Sequence, residues 1–136
     1  MARYVALIDG KRGAYGVVVP DLPGCTSAGK TIDQAYRNAI EAVRLWVEDA
    51  EASGEKLPRQ RALEALRSDP DVAAALAAGA AVVLVPVLRD SGRSVRANLS
   101  LDAGLLEAID EAAGAHGLTR SAFIATAARE KIEHGS

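Results

Sequence analysis

The sequence predicts an α+β protein in two parts, a sheet-and-helix unit over residues 1–88 and a strand–helix–helix unit over residues 93–136. Three observations predict it. Short β-rich runs bounded by Gly and Pro crowd residues 4–29. A long helical periodicity follows a capping signal at Thr31. Beyond a short polar joint, Arg89-Asp90-Ser91-Gly92, a strict two-residue alternation gives way to two more helical patterns.

Tyr4 to Ile8 is the first expected strand, ended by Asp9-Gly10, a turn former. Ala14 to Val19 is its hairpin partner across a longer basic loop. Pro20 stops that strand, Pro20 to Gly24 makes a rigid turn, and a short third strand fits Cys25 to Ala28. Thr31 with Gln34 then reads as a capping box. Ile32, Ala35, Tyr36, Ala39, Ile40, Val43, Trp46 and Val47 share one helical face, and Asp33, Arg37, Glu41, Arg44 and Glu48 share the other. Gly54 and Pro58 mark the stop. A weaker helix is expected over 59–78, broken near Ser68-Asp69-Pro70, where Pro70 suits a first helical position. Ala81 to Val87 is a buried or edge strand, and Pro86, which has no amide hydrogen to donate, argues for an edge or for the strand's end.

In the second unit, Val95, Ala97, Leu99 and Leu101 alternate with Ser94, Arg96, Asn98 and Ser100, the pattern of a half-buried strand. Asp102 opens a helix with Leu105, Leu106, Ile109, Ala112 and Ala113 on its apolar face, ended by Gly114 and Gly117. Thr119 caps a last helix that carries Phe123, Ile124, Ala127, Ala128 and Ile132. A lone strand cannot satisfy its own backbone groups. Antiparallel pairing with a second copy about a two-fold axis solves this. Such a two-stranded ribbon fits the major groove of B-DNA. Its outward face would offer Arg96, which can read guanine, Asn98, which can read adenine, and Ser94 and Ser100, with Arg93 beside them. Thr119, Arg120 and Ser121 stand at a helix N-terminus suited to a phosphate.

Composition sets limits on this reading. The 136 residues are 49% apolar and 25% charged, with net charge −2. No global basic signature of nucleic-acid binding exists, so DNA contacts must be local. The cluster Arg89, Arg93 and Arg96 is the main cationic feature of the second unit. The single cysteine, Cys25, excludes an internal disulfide and suits a reducing compartment. The N-terminus is too short and polar for a signal peptide, and Ala80 to Leu88 is too short to span a bilayer. The expected location is the cytoplasm, without a membrane partner.

Residues 93–132, with the Gly117-Leu118-Thr119-Arg120-Ser121 turn between correctly phased helices, resemble the ribbon-helix-helix repressors. Residues 3–58 resemble the HicB antitoxin family. The likeness lies in Pro20-Asp21-Leu22-Pro23-Gly24-Cys25, Gly29, the capped helix at Thr31, the Asn38-Ala39-Ile40-Glu41-Ala42 segment and Leu57-Pro58. A strand near 81–87 completes that pattern, and the Ala-rich stretch 59–79 departs from it. This second resemblance implies a partial RNase H-like fold: a three-stranded antiparallel sheet, a helix packed on it and a further strand. It also implies a function, binding and neutralising a HicA-type RNA-cleaving toxin while repressing the shared operon through operator DNA. A homodimer is required, and a tetramer would form if the N-terminal units also pair. No short motif marks the toxin-binding residues. The alternative is a stand-alone regulator whose first unit oligomerises or senses a ligand.

Catalysis is not expected. Asp9, Asp21, Asp33 and Glu41 could in principle hold metal ions as a nuclease does. They read instead as turn and surface residues, so neither metal nor cofactor is expected. Cys25 reads as a packed thiol, His116 and His134 as surface residues, and Tyr36 and Trp46 as core.

Overall fold

The computed structural model describes residues 1–89 and 92–135. Asp90 and Ser91 of the expected joint lie outside the described residues. The chain divides into two compact units, Met1–Arg89 and Asp90–Ser136.

Unit 1 is built on a four-stranded antiparallel sheet in the order β3-β2-β1-β4, from β1 (Arg3–Lys11), β2 (Ala14–Val18), β3 (Thr26–Gly29) and β4 (Ala81–Pro86). The further strand therefore joins the same sheet, on the free side of β1. It is an edge strand with Pro86 at its end, where Pro86 pairs with Arg3.

The first hairpin differs from the sequence expectation. β1 does not stop at Asp9-Gly10 but continues to Lys11, and the turn is the pair Arg12-Gly13. Gly10 makes this continuation feasible. At φ 105° a Cβ there would fall 2.2 Å from the Ala14 carbonyl oxygen.

The run Tyr4 to Ile8 is buried throughout, because β1 is covered on both faces. On one face, Tyr4, Ala6 and Ile8 meet Val17, Val19 and Val85 and the apolar stripe of α1 (Ile32–Ala52), with Ala39, Val43 and Val47 at its centre. On the other face, Val5 and Leu7 meet Leu66 of α2 (Leu63–Leu66) and Val72 of α3 (Pro70–Ala77). The Ala-rich segment is thus the second cover of the sheet. Asp69 caps α3, with Pro70 in its first turn.

The helix expected from residue 59 begins later. Residues 55–62 have no regular structure, since three bonds hold this stretch against the sheet. The Tyr4 hydroxyl donates to the Pro58 carbonyl at 2.8 Å, the Arg3 amide donates to Gln60 Oε1 at 3.0 Å, and Arg61 binds Asp21.

α1 starts as its sequence requires. Thr31 Oγ1 accepts from the Gln34 amide at 3.0 Å. Gln34 reaches back one residue further than in a capping box, accepting from the Lys30 amide at 2.7 Å. Gly29 sets the approach of β3 to this first turn. A Cβ on it would lie 2.4 Å from the Ala35 backbone nitrogen. Ile32 departs from its expected place on the buried face and is half exposed.

Unit 2 holds α4 (Ala103–Ala115) and α5 (Arg120–His134), capped by Asp102 and Thr119. Asp102 Oδ2 accepts from the Leu105 amide and Thr119 Oγ1 from the Ala122 amide, each at 3.1 Å. Among the described residues no strand lies in unit 2. Residues 94–101, expected as a strand, have no ladder partner among the described residues, and a strand is defined by that pairing.

Candidate functional site

The eight residues singled out for DNA contact lie in two places in unit 2. Arg93, Ser94, Arg96, Asn98 and Ser100 belong to the exposed segment before α4. Thr119, Arg120 and Ser121 stand together at the start of α5.

The apolar residues of this unit are short of a core. Ala113 is its one buried hydrophobic among the described residues, and α5 buries none. Val95 is 78% exposed and Leu99 62%. Leu99, Leu101, Leu105, Ile109, Phe123 and Ile124 line an apolar cleft of about 390 Å³. Leu and Ile side chains gain free energy only when such a cleft is covered, at roughly 25 cal/mol per Å² of apolar area removed from water.

At the start of α5 the three candidates have unequal freedom. The Thr119 hydroxyl is engaged as the helix cap. The Arg120 guanidinium forks onto Asp110 of α4, Nε to Oδ1 at 2.8 Å and Nη2 to Oδ2 at 2.7 Å. That hydrogen bonding holds the Asp110 carboxyl below its ordinary range and raises the guanidinium. A phosphate at Arg120 would have to compete with Asp110. Asp110 gave no local signal in the sequence, because it sits on the polar face of α4 like its neighbours. His116 is exposed as expected, and its ring lies 6.5 Å from that of Phe123 in a stacked arrangement.

Arg89 is the first arginine of the cationic cluster expected with Arg93 and Arg96. It belongs to unit 1 and is paired with Glu51 near the end of α1.

The carboxylates of unit 1 are dispersed. Asp21 is not a surface residue: it is 7% exposed, and it accepts from the Arg61 backbone amide and from Arg61 Nε, both at 2.7 Å. Asp33 pairs with Arg37 and Glu41 with Arg44 along the solvated face of α1. Among the described residues no group of three or more His, Cys, Asp or Glu side chains is placed to hold a metal ion. Cys25 is buried, and burial pushes its thiol up, away from the reactive thiolate.

The residues that carried the family resemblance build the turn between β2 and β3 and fix it to α1. Val19, Leu22 and Cys25 close the turn by backbone bonds. Trp46 Nε1 donates to the Pro23 carbonyl at 2.9 Å, and Asn38 Nδ2 donates to the Ala28 carbonyl at 2.8 Å. Tyr36 reaches β4, its hydroxyl donating to the Leu84 carbonyl at 3.1 Å. Trp46 and Tyr36 are therefore part-buried residues with hydrogen-bonded tips rather than sealed core.

These features define a small α+β protein of two units, one a sheet with helices on both faces and the other a helical pair with an open apolar cleft. Across residues 4–128 the chain matches the model of the HicB_like antitoxin of bacterial toxin-antitoxin systems, and it belongs to that family.

An uncharacterised 14.9 kDa protein from the rep-hol intergenic region of Haemophilus phage HP1 is 30% identical over 131 residues, covering 95% of this chain and 96% of its own. The crystal structure of the Burkholderia pseudomallei antitoxin HicB is similar at TM-score 0.56 and 34% identity, over 94% of this chain and 96% of that one. A chain from the HicA3 and HicB3 toxin-antitoxin complex shares the fold at TM-score 0.52 and 24% identity, over 65% of this chain and 100% of its own. Among the described residues no helix is long and apolar enough to cross a membrane.

Proposed function

We propose that this protein is a cytoplasmic antitoxin and autorepressor. Unit 1 captures and neutralises a HicA-type RNA-cleaving toxin. Unit 2 dimerises as a ribbon-helix-helix and binds operator DNA. Membership of the antitoxin family supports the first role. The observation that carries the second is the uncovered apolar cleft between α4 and α5, which continues into the alternating segment 94–101.

In a two-fold dimer, Val95, Ala97, Leu99 and Leu101 turn inward over that cleft. The same alternation turns Arg96, Asn98 and the two serines outward, where a ribbon meets base edges. Arg93, Ser121 and the amides at the start of α5 take phosphates, and Arg120 joins them where a phosphate displaces Asp110.

Binding of purified protein to DNA from its own operon, measured across several salt concentrations, tests this. Arg96→Ala and Asn98→Ala are each expected to weaken specific binding about tenfold or more, as for the loss of a bidentate base contact. Rescue of growth against the co-encoded toxin stays intact in both. Normal DNA binding by Arg96→Ala at every salt concentration would show that the ribbon does not read the operator.

A further inference from the structure

The face of the sheet opposite α1 is incompletely covered. α2 and α3 seal Val5 and Leu7, but Val18 on β2 remains 49% exposed. Beside it runs a groove of about 340 Å³ between the sheet, the Pro20–Gly24 turn and α3. Leu7, Val18 and Val72 supply apolar walls, and Asp9, Asp69 and Asp71 supply carboxylates. No Lys, Arg or His is among the residues lining it.

The carboxylates differ in what they already do. Asp69 Oδ1 accepts from the amides of Asp71 and Val72 as the cap of α3. Asp9 and Asp71 are exposed. Asp9 lies opposite Gly16 across the ladder, where even a Cβ would make only ordinary contact with Asp9 Oδ1, at 3.4 Å.

A groove with apolar walls and carboxylates alongside selects its occupant. An anion, including a nucleic-acid phosphate, is repelled. A neutral apolar group would strip water from the carboxylates without replacing their hydrogen bonds. A long cationic side chain satisfies both surfaces, its methylene stem on the valines and leucine and its head group on the acids.

We propose that this groove is part of the toxin-binding surface and receives an arginine or lysine side chain of the toxin, against Val18 and Val72 and between Asp9 and Asp71. The inference rests on the antitoxin reading above and locates its contact on the α3 side of the sheet.

The test uses the full chain and the toxin encoded with it, with affinity measured by titration at two or more salt concentrations. Asp9→Asn combined with Asp71→Asn should weaken toxin binding about tenfold and flatten its salt dependence. Val18→Lys, which places the chain's own cation in the groove, should weaken it similarly. The urea midpoint of unit 1 reports that each variant is folded and should stay close to wild type, and operator binding by unit 2 should not change. Wild-type toxin affinity in both variants would overturn the groove as the contact while leaving the antitoxin reading standing. Wild-type protein that fails to bind the toxin would overturn both. A change in oligomeric state at unchanged toxin affinity would give the groove to a second copy of this chain and overturn the proposal.

Discussion

Asp21 shows how one side chain can hold a distant piece of chain. Its carboxylate is buried and takes two bonds from Arg61, one of them from the backbone, forty positions along the sequence. Removing it leaves that amide without its partner. Asp21→Ala should lower the stability of unit 1 by about 2 kcal/mol, typical for loss of charged hydrogen bonds at a part-buried site, and should shift the urea midpoint down without changing the slope. An unchanged midpoint would mean that water replaces the carboxylate at no cost. Asp110 makes a different prediction, about pH. Its carboxyl is lowered by the Arg120 hydrogen bond, so the folded state releases its proton more readily than the unfolded chain does. The clamp is therefore fully present above the ordinary aspartate pKa and is lost as pH falls through the lowered folded value. A carboxyl-resolved titration should place Asp110 below 3.8, and Arg120→Ala should return it there. Equal titration in the two proteins would show that the fork does not persist in solution.

Elements were legible where their signals were local. Thr31, Asp102 and Thr119 each cap the helix that their position announces, because a cap and its target amides lie within three residues. Pro70 likewise announced the start of α3. Tertiary partners decided what was missed. Residues 59–62 were expected within a helix, yet Arg3 and Asp21 hold Gln60 and Arg61 out of it. The continuous apolar run Tyr4 to Ile8 shows burial, but the second covering layer became visible only once Val5 and Leu7 were seen against Leu66 and Val72. Asp21 lies in a turn as expected, but its burial was not legible because its partner Arg61 is remote in sequence. The closeness of β3 to α1 had a signal in Gly29, whose missing side chain reads as turn chemistry until the helix is set beside it. Gly29→Ala puts a methyl 2.4 Å from the Ala35 backbone nitrogen, and backbone cannot yield as a side chain does. The expected cost is about 1–3 kcal/mol, measured by urea unfolding, from the overpacking that forces β3 off the helix. Wild-type stability would show that α1 shifts freely.

At the scale of the whole molecule, the two units meet the hydrophobic effect differently. Unit 1 fills both faces of its central strand with its own residues, including Tyr4, Val43 and Val85 on one side and Leu66 on the other. It has the means to fold at any dilution. Unit 2 buries Ala113 and leaves Val95, Leu99, Leu105 and Ile132 largely open. A unit that completes its core only with a second copy gains stability from protein concentration by mass action. Denaturant unfolding of the full chain should therefore show one transition that is independent of concentration and another whose midpoint rises with it. Leu99→Glu should shift the second transition alone, since a charge placed against Leu105 and Phe123 opposes closure of the cleft that these residues line. Removal of residues 93–136 should abolish the second transition, lower the assembly order in sedimentation and eliminate operator binding. The remaining unit should keep its own urea midpoint and its grip on the toxin. Two transitions that both ignore concentration, or a truncated chain that still protects operator DNA, would overturn the division of labour between the units.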